Sequence, residues 1–447
     1  MGLLFIPLVA GVLSVFIPFT YWPEMLNWPF FLGQGWLPYR DFAIIHTPLL
    51  PSLLLVFYKL FGFNPNTLHL FATGLIAVTA LLVGLVSRSR SGDWRGVWMA
   101  QILFCLLLFA FQGNTVWFES FLTPILLGVY WCHVSYLEKP RFWKLIASGL
   151  LIGFALVTKQ TVGYIFPVFL IFSVYLWQGK KMPMLALGKV ILTVFIPAIL
   201  IIFGLLIALY RLEVITDFWR WGAQYVFLKP FMGSHGGYVL LPTIKQSVVP
   251  MLLLLFCVVT VVKKQNFSDI YAFGFMAFSF LFAFPRFEFF HLVPSAAFAA
   301  IILRKQNFKF LITTIFALVL FFQLQKYTHT FLDEKTMKIQ SVNKSRYYGK
   351  SLFVLNGPDQ IYFLNITPPA VKPWVPQLPW YLDYYGHQFF LDFVKGSPEV
   401  VVVSPYLNTP TRDGLGAYKP AEVLQYIQNN YKRDLQLADG TAFYIKK

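Results

Sequence analysis

Residues 186–209 form a long apolar stretch and read Ala-Leu-Gly-Lys-Val-Ile-Leu-Thr-Val-Phe-Ile-Pro-Ala-Ile-Leu-Ile-Ile-Phe-Gly-Leu-Leu-Ile-Ala-Leu, with Lys189 as the single charged residue. A helix needs about 20 apolar residues to cross the ~30 Å hydrocarbon core of a bilayer, so this stretch predicts a membrane span. Comparable runs predict further spans at about 2–20, 67–87, 97–112, 119–137, 143–158, 162–178, 247–263, 269–284, 291–304 and 308–324. The sequence therefore predicts a polytopic α-helical membrane protein with about eleven transmembrane helices.

The composition agrees with a lipid environment. Of the 447 residues, 57% are hydrophobic and only 12% are charged, and the mean hydropathy is +0.63. Soluble domains are about 25% charged, and a soluble globule of this size cannot bury so much apolar surface. The three cysteines lie in apolar runs and predict neither a disulfide framework nor a metal site.

The formal charge of +17 is carried largely by short loops between the apolar runs. No soluble basic stripe is present, so we expect no nucleic-acid partner. The basic residues fall on alternate connections, which marks those connections as cytoplasmic: Arg88, Arg90, Arg95, Lys139, Arg141, Lys144, Lys180, Lys181, Lys263, Lys264, Arg304, Lys305 and Lys309. The N-terminus is then cytoplasmic and residues 21–66 are extracytoplasmic.

We interpret residues 2–20 as a retained first span, because no Lys or Arg precedes them and no small-residue cleavage pattern follows. The predicted location is the cell (plasma) membrane of a bacterium or archaeon. Membrane lipid is an expected partner.

Two extracytoplasmic loops are predicted to lie along the membrane surface. Residues 49–62 are apolar with an aromatic and basic edge but are too short to span, which indicates an interfacial helix. The loop at 210–246 mixes Trp and Phe with Arg and Lys, a composition favoured at interfaces.

The tail differs from the rest of the chain. Strands are predicted at 351–356, 399–404 and 441–445 and a helix at 420–431, while five prolines in 366–380 disfavour regular structure. We therefore predict two domains, a transmembrane domain at 1–324 and a small extracytoplasmic α/β domain at 325–447.

Ionisable residues near a membrane tend to be functional, and the predicted topology brings one group of them to the extracytoplasmic side. We expect this group to converge on one cavity at the outer leaflet: Glu24, Arg40, Asp41, His46, Glu119, Lys159, Arg286, Glu288 and His291.

Such a set suits transfer from a phosphate-linked donor. A carboxylate can take a proton from an attacking hydroxyl, and Lys or Arg can balance charge on a phosphate leaving group. Each residue also has a structural interpretation. Asp41 can pair with Arg40 or cap a helix, Lys159 can extend its ammonium to the interface, and Glu119 can complement a helix dipole.

Four segments, in order along the chain, resemble GT-C glycosyltransferases. Residues 33–50 read Gly-Gln-Gly-Trp-Leu-Pro-Tyr-Arg-Asp-Phe-Ala-Ile-Ile-His-Thr-Pro-Leu-Leu, and 55–62 read Leu-Val-Phe-Tyr-Lys-Leu-Phe-Gly. Both are similar to the first outer loop of the branch that holds protein O-mannosyltransferases and the bacterial aminoarabinose and Rgt-type transferases. Residues 156–163, Leu-Val-Thr-Lys-Gln-Thr-Val-Gly, resemble its lysine-containing turn. Residues 284–294, Phe-Pro-Arg-Phe-Glu-Phe-Phe-His-Leu-Val-Pro, resemble its late Pro-Arg segment.

The resemblance implies inverting transfer of a sugar from a polyprenyl-phosphate donor to a hydroxyl acceptor in a lipid, glycan or protein. The family's catalytic acidic residue, which follows the first span, corresponds to Glu24. The preceding position, often Asp in the family, is Pro23 here, which leaves Glu24 and Asp41 as alternative bases. We assign the base to Glu24, while Asp41 positions the acceptor or base, or helps to hold a cation.

The remaining candidates are assigned to substrate or phosphate binding, with Lys159 and Arg286 on the donor phosphate: Arg40, His46, Glu119, Lys159, Arg286 and His291. Mg²⁺ or Mn²⁺ is a possible cofactor, with Glu24 and Asp41 as its candidate ligands.

Two other function classes are compatible with the composition. A flippase or transporter of lipid-linked sugars predicts ionisable residues deep within the spans and repeat symmetry between halves, and the sequence shows neither. A non-catalytic assembly or sensor protein predicts carboxylates that face open water. A lipid-linked glycan polymerase or ligase is an enzymatic alternative.

Overall fold

The computed structural model describes residues 2–91, 93–232, 238–304, 309–326, 332–355, 357–405 and 420–447. These residues form two compact units. The first unit comprises 1–20, 69–208 and 241–329, and the second comprises 21–68, 209–240 and 330–447. The predicted division into a transmembrane domain and a tail domain at residue 324 stays a prediction.

The first unit is built from apolar helices: α1 (Gly2–Phe16), α4 (Pro65–Ser91), α5 (Trp94–Ala110), α6 (Phe118–Glu138), α7 (Phe142–Leu156), α8 (Phe166–Val174), α9 (Met184–Arg211), α12 (Ile244–Lys264), α13 (Phe267–Ser279), α14 (Val293–Leu303) and α15 (Lys309–Lys326). Short 3-10 or π segments extend several of them: Gln160–Ile165, Tyr175–Gly179, Phe280–Ala283 and Phe289–Leu292. Each predicted span thus coincides with a helix.

Five helices in the described part of the chain are long and apolar enough to cross a membrane: Pro65–Ser89, Phe118–Glu138, Gln160–Gly179, Met184–Arg211 and Ile244–Lys264. The helices at the other six predicted spans are apolar but shorter. The structure therefore shows a polytopic helical membrane protein, while the number of spans stays a prediction.

Packing in the first unit brings helices close together through small residues, as in other membrane bundles. Gly149 on α7 lies against α9, where an added Cβ would collide with the Val194 carbonyl oxygen. Other side chains of α9 are exposed rather than packed: Leu185, Leu200 and Phe203. An apolar helix exposed in this way is suited to lipid rather than water.

The second unit contains the remaining elements: α2 (Pro23–Gly33), α3 (Leu49–Phe61), α10 (Ile215–Phe218), α11 (Val226–Leu228), α16 (Glu334–Arg346), β1 (Leu352–Leu355), α17 (Ile361–Leu364), α18 (Pro379–Tyr385), α19 (His387–Gly396), β2 (Val400–Val403), α20 (Ala421–Asn430), β3 (Tyr431–Gln436) and β4 (Ala442–Lys446). A π segment, Trp219–Tyr225, joins α10 to α11, and a 3-10 turn, Lys229–Phe231, follows them.

The tail forms a four-stranded sheet in the order β1-β2-β4-β3. Strands β1 and β2 pair in parallel, from Leu352 opposite Val400 to Leu355 opposite Val403, and β4 pairs antiparallel with both β2 and β3. A parallel pair needs a long crossover connection, which here carries α17, α18 and α19. The strand and helix predictions at 351–356, 399–404, 420–431 and 441–445 agree with the described residues, whereas β3 was not predicted.

The first loop and the tail share one core within the second unit. Helix α2 follows α1 after a short break and begins with Pro23, a residue suited to a first helical turn because it lacks an N–H donor. Its Phe31 ring packs against Trp374 of the tail, with ring centroids 5.3 Å apart. Backbone hydrogen bonds join the same segments, from Ala43 N to Trp374 O (2.8 Å) and from Trp374 N to Asp41 O (2.9 Å).

Candidate functional site

The first unit contains a buried carboxylate with two basic partners. Glu119 lies in the first turn of α6, Lys159 follows α7, and His291 lies in the 3-10 turn before α14. The Lys159 ammonium donates a hydrogen bond to Glu119 Oε1, and His291 Nδ1 lies 2.8 Å from the same oxygen. Glu119 is fully buried and Lys159 is 5% exposed, so water screens this cluster weakly.

Aromatic rings lie beside this cluster. Lys159 Nζ lies 6.0 Å from the centre of the Phe282 ring, within range of a cation–π attraction. The Trp117 and Phe290 rings contact each other edge to face, with centroids 5.7 Å apart. An ammonium has three donors. Among the described residues, Glu119 is the one side chain that accepts a hydrogen bond from Lys159.

Arg286 lies beside this cluster but has a different carboxylate partner. Its Nε is 3.6 Å from Oε1 of Glu288, and it also interacts electrostatically with His291. The sequence-predicted candidates of the first unit therefore lie together: Glu119, Lys159, Arg286, Glu288 and His291.

The second unit contains Glu24, near the start of α2. One carboxyl oxygen, Oε2, is buried and has no hydrogen-bond partner in the described part of the chain. Burial raises the pKa of Glu24 to about 7, although a hydrogen bond from its own backbone N–H acts in the opposite direction. A carboxyl with such a pKa is available as a general base near neutral pH.

The other first-loop candidates make structural contacts. Arg40 Nε lies 3.2 Å from Asp217 Oδ2, and its guanidinium also donates to the Glu213 carbonyl. Asp41 Oδ2 accepts a hydrogen bond from Leu37 N at 2.9 Å and lies 3.6 Å from Lys372 Nζ. Asp41 therefore pairs with Lys372 rather than with Arg40.

His46 is buried, and its backbone carbonyl accepts a hydrogen bond from the Tyr39 hydroxyl at 2.9 Å. This hydrogen bond joins two residues of the segment that connects α2 to α3. The predicted convergence of all the candidates on one outer cavity stays a prediction.

Sequence reasoning missed Asp359 and Asn27. Asp359 follows Gly357 and Pro358 and precedes α17, and Gly-Pro-Asp in a sequence indicates a turn. In the structure Asp359 is buried and its carbonyl accepts a hydrogen bond from Asn27 Nδ2 at 2.9 Å. The available signal was weak: a single carboxylate in a turn-like segment of the tail.

The described residues contain no group of three or more His, Cys, Asp or Glu side chains arranged to hold a metal ion. The three cysteines are free thiols, two of them buried.

The comparisons with known proteins agree with this architecture. Residues 45–201 match the family model of dolichyl-phosphate-mannose-protein mannosyltransferases. Curated protein sequences give no match. Among solved structures, the chain is similar to ArnT from Cupriavidus metallidurans bound to undecaprenyl phosphate, with a TM-score of 0.59 at 11% identity over 99% of this chain and 97% of that chain. The chain has the GT-C glycosyltransferase fold.

A second GT-C relative in structure is the oligosaccharyltransferase of Archaeoglobus fulgidus in its apo form. The TM-score is 0.60 at 12% identity, over all of this chain and 74% of that chain. The same archaeal protein, AglB, in complex with an inhibitory peptide and a dolichol-phosphate gives a TM-score of 0.58 at 11% identity. The predicted GT-C resemblance and the predicted fold class are confirmed.

Proposed function

We propose that this GT-C protein is a membrane glycosyltransferase that moves a sugar from a polyprenyl-phosphate donor to a hydroxyl acceptor on the extracytoplasmic side. The observation that carries the proposal is the Glu24 carboxyl, which has a buried oxygen without a partner among the described residues and a pKa raised to about 7. The undecaprenyl phosphate bound to ArnT and the dolichol-phosphate bound to AglB support a donor of this class.

In the proposed reaction, the acceptor oxygen attacks the anomeric carbon of the sugar and its proton passes to Glu24. The bond between that carbon and the phosphate oxygen breaks, and the electron pair leaves with polyprenyl phosphate. Attack opposite the leaving phosphate inverts the configuration at the anomeric carbon. A positioned base typically contributes about 10²–10⁴ in rate.

The proposed phosphate site is the basic cluster of the first unit. Lys159 has two ammonium hydrogens beyond the one that it donates to Glu119, and Arg286 supplies a second cation. The Glu119 carboxylate fixes the Lys159 ammonium in one position, which reduces the reorganisation needed when negative charge develops on the leaving phosphate.

The test is transfer of radiolabel from a panel of polyprenyl-phosphate sugars by purified protein in lipid. Lipid, glycan and peptide hydroxyl acceptors are supplied, with and without a divalent cation. We expect labelled product from the wild type and a loss of at least about 100-fold in Glu24→Gln. The exposed Glu138 at the end of α6 gives a matched control, because Glu138→Gln is the same chemical change and should leave the rate unchanged.

Full activity in a folded Glu24→Gln variant would overturn the assignment of the base. No transfer from any donor, together with movement of lipid-linked sugar across vesicles, would overturn the enzyme proposal in favour of a transporter.

A further inference from the structure

Asp359 in the tail lies against the helix that carries Glu24. Its backbone carbonyl accepts the Asn27 hydrogen bond described above, and the Phe363 ring of α17 packs against Phe30 of α2, with centroids 6.3 Å apart. Asn27 is fully buried and Asp359 is 8% exposed. These contacts fix the tail residue at one position on α2.

Glu24 and Asn27 are three residues apart on α2, a spacing that places two side chains on the same helical face. Each of three neighbouring side chains has a buried oxygen without a hydrogen-bond partner in the described residues: Glu24 Oε2, Asn27 Oδ1 and Asp359 Oδ1. Three buried acceptor oxygens that receive no hydrogen bond are unfavourable. A proton on one of the carboxyl groups supplies a donor and removes a charge.

The electrostatics favour Asp359 as the carboxyl that keeps the proton. Burial raises the pKa of Asp359 well above its usual range, and the nearby Glu24 carboxylate raises that pKa further. A hydrogen bond from the Gln377 backbone N–H opposes these effects but does not outweigh them. Two buried carboxyl groups that interact in this way do not both ionise near neutral pH.

We propose that Asp359 is a positioning residue for Glu24: the two side chains form a carboxyl pair with one proton, which resides on Asp359 and leaves Glu24 as the single anion. The proposal rests on the proposed role of Glu24 as the base, and it makes the tail a contributor to the surroundings of that base.

The other titratable side chains on the segments packed around α2 are phenols or are paired or exposed. Burial, and to a smaller extent the negative charge of Glu24, raises the pKa of Tyr381 on α18 well above its usual range, so Tyr381 stays neutral. Tyr362 on α17 accepts a hydrogen bond from Val354 N at 2.8 Å. Burial, and to a smaller extent the nearby Asp359, raises the pKa of Tyr362 well above its usual range, so it stays neutral.

Helix α3 contributes Tyr58 and the exposed Lys59. Asp383 on α18 pairs with Lys229. The adjoining loop contributes the Asp41–Lys372 pair and the buried His46. Asp359 is therefore the carboxyl group that the described residues bring to Glu24.

The experiment is infrared spectroscopy of the full-length protein in lipid, in the region of the C=O stretch of protonated carboxylic acids. Spectra are recorded at mildly alkaline pH, above the pKa of Glu24, in H₂O and in D₂O. We expect the wild type to show a protonated carboxyl band that shifts in D₂O, and Glu24→Gln to retain it. Asp359→Asn should lose the band, because the amide is a neutral isostere that can still accept from Gln377 N.

Asp392 gives a matched control in the same unit. It is also nearly buried, but the Tyr385 hydroxyl and Gln388 Nε2 (3.1 Å) donate to its carboxylate. Asp392→Asn should leave the band unchanged. A band that persists in Asp359→Asn, or that disappears in Glu24→Gln, would overturn the proposal.

Transfer kinetics provide a second, independent readout. Since Asn resembles a protonated Asp, Asp359→Asn should reduce the rate far less than the 100-fold or greater loss expected for Glu24→Gln, and its transfer rate should still show the ionisation of Glu24 near pH 7. A 100-fold loss in Asp359→Asn would show that the ionised form of Asp359 is needed and would overturn the proton assignment. If no variant transfers sugar, the infrared result still shows whether Asp359 holds the proton. The proposed transferase function and the proposed carboxyl pair can therefore be refuted independently.

Discussion

Glu119 in the first unit and Glu24 in the second are both glutamates in the first turn of a helix, but their surroundings differ. Glu119 is fully buried and its Oε1 is shared by Lys159 and His291. Glu24 has no basic partner among the described residues, and burial raises its pKa to about 7. The first carboxylate is held by opposite charge, and the second remains able to exchange a proton near neutral pH.

The difference separates two roles that the residue type alone does not distinguish. A carboxylate with two cationic or hydrogen-bonding neighbours is a poor base, since proton uptake would break those contacts. It is well suited to orient a lysine. A buried carboxylate without such neighbours is destabilising as an anion but is a stronger base. The two glutamates should therefore respond to the same substitution in opposite ways.

The largest expected effect is on stability at the paired carboxylate. Glu119→Gln leaves the buried Lys159 ammonium without its counter-charge, and breaking a buried ion pair in this way reduces the free energy of unfolding by about 3–5 kcal/mol. Denaturation of the protein in defined lipid or detergent measures the change. The double variant Glu119→Gln/Lys159→Gln removes both charges and should recover most of the loss. A neutral effect of the single variant would contradict the pairing.

The unpaired carboxylate should show the opposite sign and depend on pH. The pKa of Glu24 rises from 4.5 to about 7 on folding, so its contribution to stability is complete below pH 4.5 and is lost as the pH rises through 7. Glu24→Gln does not ionise and should be more stable than the wild type above pH 7, by about 3 kcal/mol at most. The two proteins should match at pH 4. Equal stability across this range would show that Glu24 is solvated.

Asp41 should give the smallest effect and sharpens the assignment of the base. Its partner Lys372 is about half exposed, and exposed ion pairs contribute about 0–1 kcal/mol. Asp41→Asn retains an acceptor for Leu37 N and should change stability by less than about 1 kcal/mol, with a far smaller loss of transfer than Glu24→Gln. Lys372→Gln breaks the same pair from the other side and should match it. An equal loss of transfer in Asp41→Asn and Glu24→Gln would reopen the choice of base.

Much of the helical framework was predictable, because apolar runs of span length have few structural alternatives. The contacts of Lys159 were only partly predictable. Topology indicated that Lys159 and His291 would meet, but not that both would bind one oxygen of Glu119. Such a detail depends on helix rotation and side-chain conformation, which the hydrophobic pattern does not specify.

The second unit was harder to predict because its contacts join distant parts of the chain. Helix α2 begins only a few residues after a predicted span, and its apolar, aromatic sequence resembles that of the span, so Pro23 and Glu24 are the local signals of a separate helix. Asp359 lies far along the chain in a turn-like Gly-Pro-Asp. Hydrophobic periodicity reports local structure and contains no information about a pairing of this separation.

The backbone hydrogen bonds that join Ala43 and Asp41 to Trp374 have a consequence for biogenesis. Their two sides are separated by more than 300 residues, and nearly the whole membrane bundle is encoded between them. During synthesis the first loop therefore lacks these hydrogen-bond partners until the segment around Trp374 has been made. Contacts of such long range form late, so the loop that carries Glu24 reaches its final structure only after Trp374 has been synthesised.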